Sequence, residues 1–314
     1  MKLTAHILNN QAGDHIEITN FGARLVSWYT RLEQESRNII LGYENLKAYL
    51  DDPYLHGAIV GPYANRIGNG QVKLEGKIVQ LDQNQPPHHL HGGSQNLSNQ
   101  LWTPVAQEVN SLTLKCELAA GLSGYPGHRT FWVTYTLSDE SCLSIQVQAE
   151  TDQTSIIGPT SHPYFNLAGF GNPHKGHKLQ LFSEQYTQLD SMGIATGEIA
   201  SSLESELDFR QARVLNEALD KDQLDHNFIH NKTLGSQQAR LTSPDNKLTL
   251  AVSSDYPGLQ VYTGNYLTGQ FEAQSGICLE PQFYPDSPNH AHFPYQNTQA
   301  NTLFEKTIHY QLIK

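Results

Sequence analysis

Apolar residues in this chain recur at every second position, again and again, and rarely at helical spacing. Leu143, Ile145, Val147 and Ala149 alternate with polar residues, the pattern of a strand with one packed face and one wet face. Leu112, Leu114 and Cys116 repeat it, as do Leu248, Leu250 and Val252. Val72 and Leu74 lead into Glu75-Gly76, and Ile78, Val79 and Leu81 lead out, which predicts a hairpin around a two-residue turn. Phe131 to Leu137 is aromatic and β-branched and predicts a further strand. Helical signals are few: a short helix over Asn45 to Leu50 capped by Asn45, and a second over Asp208 to Leu219. Neither supports a βαβ unit. No linker, composition shift or repeat divides the chain, so the expectation is one all-β domain over residues 1–314, a large antiparallel β-sandwich. The long segments 169–177 and 282–294 suit a site built on loops above a rigid sheet.

Composition narrows the function classes. The 314 residues can bury a substantial core, and 38% of them are hydrophobic, as in a soluble globular protein. A net charge of −11 argues against nucleic acid or an anionic membrane as partner, because such binding draws on clustered Lys and Arg. No run of eighteen apolar residues is present and the first ten residues lack a signal-like apolar run, which places the expected location in the cytoplasm. Cys116, Cys142 and Cys278 are odd in number and match neither a zinc knuckle nor a disulfide framework, so they read as idle thiols.

Three segments carry candidate chemistry. Glu280 follows Ile277-Cys278-Leu279, at the expected end of a strand entering the core. A carboxylate there is costly unless hydrogen-bonded or used, and burial would raise its pKa toward the range of a working base. Pro281 should hold Glu280 extended and then stop the ladder. His162 lies among Pro163, Tyr164 and Phe165, and histidine is the natural proton donor near neutral pH. His89 and His91 would share one face of a strand, as at the start of a cupin-type metal site, yet no carboxylate follows before Glu108, which disfavours metal. Gly92-Gly93 suggests a tight turn that lets a ligand approach. Taken singly, each residue also admits a bland reading: a surface glutamate, a satisfied histidine, an arginine paired with a carboxylate.

Their order resolves them. The segments Gly61-Pro62-Tyr63-Ala64-Asn65-Arg66-Ile67, Leu90-His91-Gly92-Gly93, Ser161 to Gly169, Leu224-Asp225-His226-Asn227-Phe228, Gly258 to Tyr266 and Leu279 to Asp286 resemble, in sequence and in order, the motifs of the aldose 1-epimerases, or galactose mutarotases. The resemblance implies a sandwich of the galactose-mutarotase type with few short helices, a free aldohexose such as galactose or glucose as substrate, no cofactor and no metal; the Tyr- and Phe-rich composition suits a monomer or a homodimer. It implies roles as well: Glu280 as general base at the anomeric hydroxyl, His162 as general acid at the ring oxygen, and His91 assisting. Arg66, Asn65, Asp225 and Gln260 would hold hydroxyls, and Tyr164, Phe283 or Tyr284 would stack on the sugar. The chain departs from the family's usual pattern at the polar segment 94–100 and at Ser161. Two alternatives remain on the sequence: an enzyme acting on a hexose phosphate, which would want more Arg or Lys near the pocket, and a non-catalytic carbohydrate-binding module on the same fold.

Overall fold

A computed structural model describes residues 2–33, 35–169, 175–215, 223–230 and 235–314. Among the described residues the strands form two large antiparallel sheets and several small ones. The larger has nine strands and is built around Ser111–Leu118, Arg129–Leu137, Cys142–Thr151 and Phe304–Ile313. The sequence alternation survives here residue by residue: Phe131, Val133, Tyr135 and Leu137 are fully buried, and the residues between them are half-exposed. The second large sheet has seven strands, in the order Ala195–Ser201, Gln185–Leu189, Asp225–Ile229, Gly258–Tyr262, Ile277–Gln282, Tyr164–Phe165, Ile40–Leu41. One face packs on the nine-stranded sheet through Phe165, Phe228, Leu259, Val261, Ile277 and Leu279. Tyr310 links the layers, its ring 4.9 Å from Phe165 and its hydroxyl donating to Leu279 O at 2.8 Å.

The hairpin forms as expected, Gln71–Leu74 paired with Lys77–Gln80 about Glu75 and Gly76, both at positive φ. Val72 and Val79 pair on its buried side, whereas Ile78 points to solvent, 73% exposed. The first expected helix is a 3-10 turn over Leu46–Asp51, with the Asn45 side chain accepting from Lys47 N. The second is not helical from Asp208 to Val214: Arg213–Val214 is a short strand, held in the nine-stranded sheet by pairing with Lys178 and Leu179, and helix begins only at Leu215. Residues 216–219 of that expected helix lie outside the described residues. No described helix is long and apolar enough to cross a membrane.

Pro281 does not stop its ladder. Pairing runs on through Leu259↔Pro281 and Gly258↔Gln282. The Pro281 carbonyl accepts from Thr160 Oγ1 at 2.6 Å, so this residue's hydrogen-bonding side faces away from the neighbouring strand and the missing N–H is not needed there.

Candidate active site

The outer face of the seven-stranded sheet carries the chemistry. Registered pairs place Tyr164, Cys278, Tyr262 and Asp225 in one row across four strands. Glu280, Gln260 and Asn227 form the next row. Loops cover these rows, so Ile277–Gln282 is buried along its whole length, core face and polar face alike. A cavity of about 190 Å³ opens over the first two rows, smaller than the ~300–1,000 Å³ pockets that take drug-sized ligands. Its walls include Asn65, Arg66, His91, His162, Tyr164, Asp225, Gln260 and Glu280, so the three residues expected to be catalytic, the four expected to hold hydroxyls and Tyr164 meet in one place.

His162 Nε2 stands 3.7 Å from Glu280 Oε1. Both side chains are buried, and burial acts on them in opposite directions. It raises the Glu280 carboxyl well above the usual carboxylate range, aided by the Asp225 charge, and lowers the His162 imidazolium to about 4. The His91 ring lies edge-on to His162 with centroids 5.5 Å apart, and burial beside that imidazole holds His91 well below its ordinary pKa. Asn65 N–H donates to His91 Nδ1 at 3.1 Å, which leaves the proton of the neutral ring on Nε2. The His91 N–H in turn donates to Asn65 O, and both residues have positive φ, so each fixes the other's unusual backbone.

A polar chain crosses the wall. Arg66 Nε donates to Gln85 Oε1 at 2.8 Å and its NH1 lies 3.6 Å from Asp225 Oδ2. Gln260 Nε2 donates to Asp225 Oδ1 at 2.6 Å. The opposite wall is aromatic. Tyr164 turns its hydroxyl away, onto Tyr54 O, and presents its ring beside His162 at 5.2 Å. Tyr54, Tyr262 and Tyr266 complete that wall, with Tyr266 stacked on Tyr262 at the mouth.

Several expectations change. Phe283 packs among Tyr256, Tyr295 and Phe304, and Tyr284 against Phe293, because their side chains are taken up by apolar clusters outside the cavity. His89 does not share a face with His91. The strand ends at Leu90, His91 turns into positive φ, and His89 is held in the interior by Asp82 and the Tyr125 hydroxyl. The group that approaches Gly92 is the chain itself: a Cβ there would sit 1.9 Å from Gly61 O. The walls include residues from 53–55, 65–66, 85–91 and 262–266, while the described parts of 169–177 and 282–294 line none of this cavity. Ser161 and the segment 94–100 also lie outside the cavity lining.

Sequence reasoning missed Gln85, Tyr54 and the support beneath Tyr164. There Asp52 accepts from Arg24 NH1, the Tyr43 hydroxyl, His56 Nδ1 and the backbone N–H of Tyr54 and His56. These contacts clamp the loop that carries Pro53, Tyr54 and Leu55, and only a tertiary structure could reveal them.

His162, Cys278 and Glu280 each offer a potential metal-ligand atom within 4.8 Å of the others, though the carboxylate and the thiol approach different nitrogens of the ring. Cys278 Sγ approaches Nδ1 of the ring at 3.6 Å while Glu280 lies 3.7 Å from Nε2. Burial also raises the Cys278 thiol well above its ordinary pKa.

Comparisons with known proteins agree in one direction. The family model described as aldose 1-epimerase matches residues 5–311. A galactose mutarotase of Bos taurus is 35% identical over 294 residues, covering 86% of this chain and 84% of its own. An aldose 1-epimerase of Escherichia coli K12 is 33% identical over 304 residues, covering 91% and 88%. Among solved structures, an aldose epimerase homologue from C. elegans superposes with a TM-score of 0.94 at 26% identity over 99% of both chains. A galactose 1-epimerase from Lactobacillus acidophilus gives 0.88 at 27% identity, covering 100% of this chain and 95% of that one.

Proposed function

The chain belongs to the aldose 1-epimerase family of isomerases, and from that premise we propose that it interconverts the α and β anomers of a free aldohexose such as galactose or glucose. The observation that carries the reading is the buried Glu280–His162 pair, 3.7 Å apart at the floor of a sugar-sized pocket.

The anomeric oxygen and the ring oxygen share C1, so a base at one and an acid at the other act on a single carbon. The Glu280 carboxylate takes the proton of the anomeric hydroxyl while the protonated His162 gives one to the ring oxygen, and the C1–O5 bond breaks. The open aldehyde turns about C1–C2. The proton on Glu280 returns to the carbonyl oxygen as the C5 hydroxyl closes on the other face and gives its proton back to His162. The pair carries one proton throughout, on His162 with the closed sugar and on Glu280 with the open one. Burial favours the arrangement in which both groups are neutral, so with the closed sugar the ionised pair is the scarcer, reactive form. The neutral His91, with its proton on Nε2, assists by hydrogen bonding near the same centre. Positioned acid–base catalysis of this kind gives ~10²–10⁴-fold, and the hydroxyl clamps at Asn65, Arg66, Asp225 and Gln260 supply orientation. The Tyr164 ring supplies an apolar surface for the sugar face.

A phosphorylated hexose fits less well. Arg66 is the one Lys or Arg among the described residues lining the pocket, and Gln85 and Asp225 already engage it. On sequence grounds the reaction belongs in the cytoplasm. Polarimetry of freshly dissolved α-D-galactose and α-D-glucose tests the reading: catalysed mutarotation of at least one is expected, and acceleration of neither would overturn the substrate assignment.

A further inference from the structure

The row that begins at Glu280 continues beyond the cavity. Glu280 pairs with Gln260 and Gln260 with Asn227. One residue on from the Tyr186↔Phe228 pair, Thr187 comes level with Asn227. Gln282 stands in the next row, opposite Gly258. All five side chains are at most 3% exposed. Each also has a buried polar atom without a protein partner: Glu280 Oε2, Gln260 Oε1, both amide atoms of Asn227, Thr187 Oγ1 and both amide atoms of Gln282.

Such atoms are rare in folded proteins, and each is destabilising if left bare. Seven of them on adjacent positions of one sheet face are not scattered packing faults. The orientation of one is fixed chemically. Gln260 must turn its NH₂ to the Asp225 carboxylate, at 2.6 Å, so its oxygen is the free end. The row thus offers acceptors at Glu280, Gln260 and Asn227, donors at Asn227 and Gln282, and a hydroxyl at Thr187 that does both. Gly258 lets the Asn227 amide lie close over its strand: a Cβ there would sit 2.6 Å from Asn227 Oδ1. A polar niche with several convergent partners is where internal water resides.

We propose that this row is an internal water site, and that its water donates a hydrogen bond to the Glu280 oxygen turned away from His162. It extends the catalytic reading of Glu280, on which its functional half rests. A carboxylate buried with no donor would hold its proton too firmly to act as a base. Water in the row supplies the missing donor without occupying the sugar pocket, since Asn227, Thr187 and Gln282 do not line it. These three are positioning residues, acting on the sugar only through Glu280.

Two measurements test this. A high-resolution crystal structure of the full chain should show ordered water within hydrogen-bonding distance of both Asn227 and Glu280; a row that closes on itself with no water overturns the proposal whatever the enzyme catalyses. The pH profile of kcat/KM is then compared for wild type, Asn227→Leu and the near-isosteric Thr187→Val, the last kept because it leaves packing nearly unchanged. Losing donors to the carboxylate disfavours its charged form, so the acid limb should move to higher pH, by about one unit for Asn227→Leu. A uniform loss of rate at every pH, or no shift in either variant, would overturn the link to Glu280. Full turnover in Glu280→Gln would instead sink the catalytic reading and leave the water site standing.

Discussion

The two large sheets obey the same alternation and use it differently. In the nine-stranded sheet apolar residues point into the core and polar ones to solvent, as along Arg129–Leu137 and Cys142–Thr151. In the seven-stranded sheet Ile277 and Leu279 point to the same core, but their polar alternates Glu280 and Gln282 are buried as well, under loops. Buried polar atoms without protein partners are spread accordingly. Among the described strands of the nine-stranded sheet they occur on Arg129, whereas the seven-stranded sheet holds them on Glu280, Gln260, Asn227, Thr187 and Gln282. A wet polar face makes a scaffold; a polar face forced into the interior stores the desolvation that shifts Glu280 and His162 and makes a site.

Substitutions in the pocket over the seven-stranded sheet, where His162 arrives on the flanking Thr160–His162 strand, and in the nine-stranded sheet should therefore separate rate from stability. His162→Asn should lower kcat by ~10²–10⁴-fold with a much smaller change in sugar affinity; equal losses in both would assign His162 to binding. Phe131→Ala, in the core of the other sheet, should cost ~3–5 kcal/mol in urea unfolding and leave the rate per folded molecule unchanged. A fall in that rate would show that the scaffold and the site are not separable. The buried imidazole also has a signature in stability against pH. His162 titrates near 6.5 when unfolded and near 4 when folded, so its contribution is complete above about 6.5 and is lost as pH falls toward 4. Glu280, with its folded pKa raised, acts in the opposite sense, contributing at low pH and losing that as pH rises. The stability of wild type relative to His162→Asn should thus decline between pH 6.5 and 4, and a flat difference would contradict the shift. The smallest effect is expected at the rim: Tyr266→Ala removes an exposed ring from the Tyr262 stack and should raise KM a few-fold at constant kcat.

The strands of the nine-stranded sheet were legible because one wet face writes period two directly into the chain, and the hairpin at Glu75-Gly76 because its turn needs residues that tolerate positive φ. The site was legible through motifs: all eight expected residues line the cavity. Local rules misled where tertiary partners decided. Pro281 stays in its ladder because Thr160 takes its carbonyl, and Phe283 and Tyr284 leave the sugar for apolar neighbours. Gln85 carries no sequence signal at all; Arg66 gives it a role only once the two loops meet. The water row was invisible as well, since Thr187, Asn227, Gln260 and Gln282 fall on strands whose register no local pattern sets.

Polarimetry of α-D-galactose and α-D-glucose with Glu280→Gln, run beside calorimetric binding of the same sugars and a folding check by circular dichroism, tests the central role most directly. The amide keeps the size of the side chain and cannot accept the proton, so the variant should fold, bind sugar and lose at least ~100-fold in turnover. Near-wild-type mutarotation by a folded Glu280→Gln protein would contradict the assignment of Glu280 as the base.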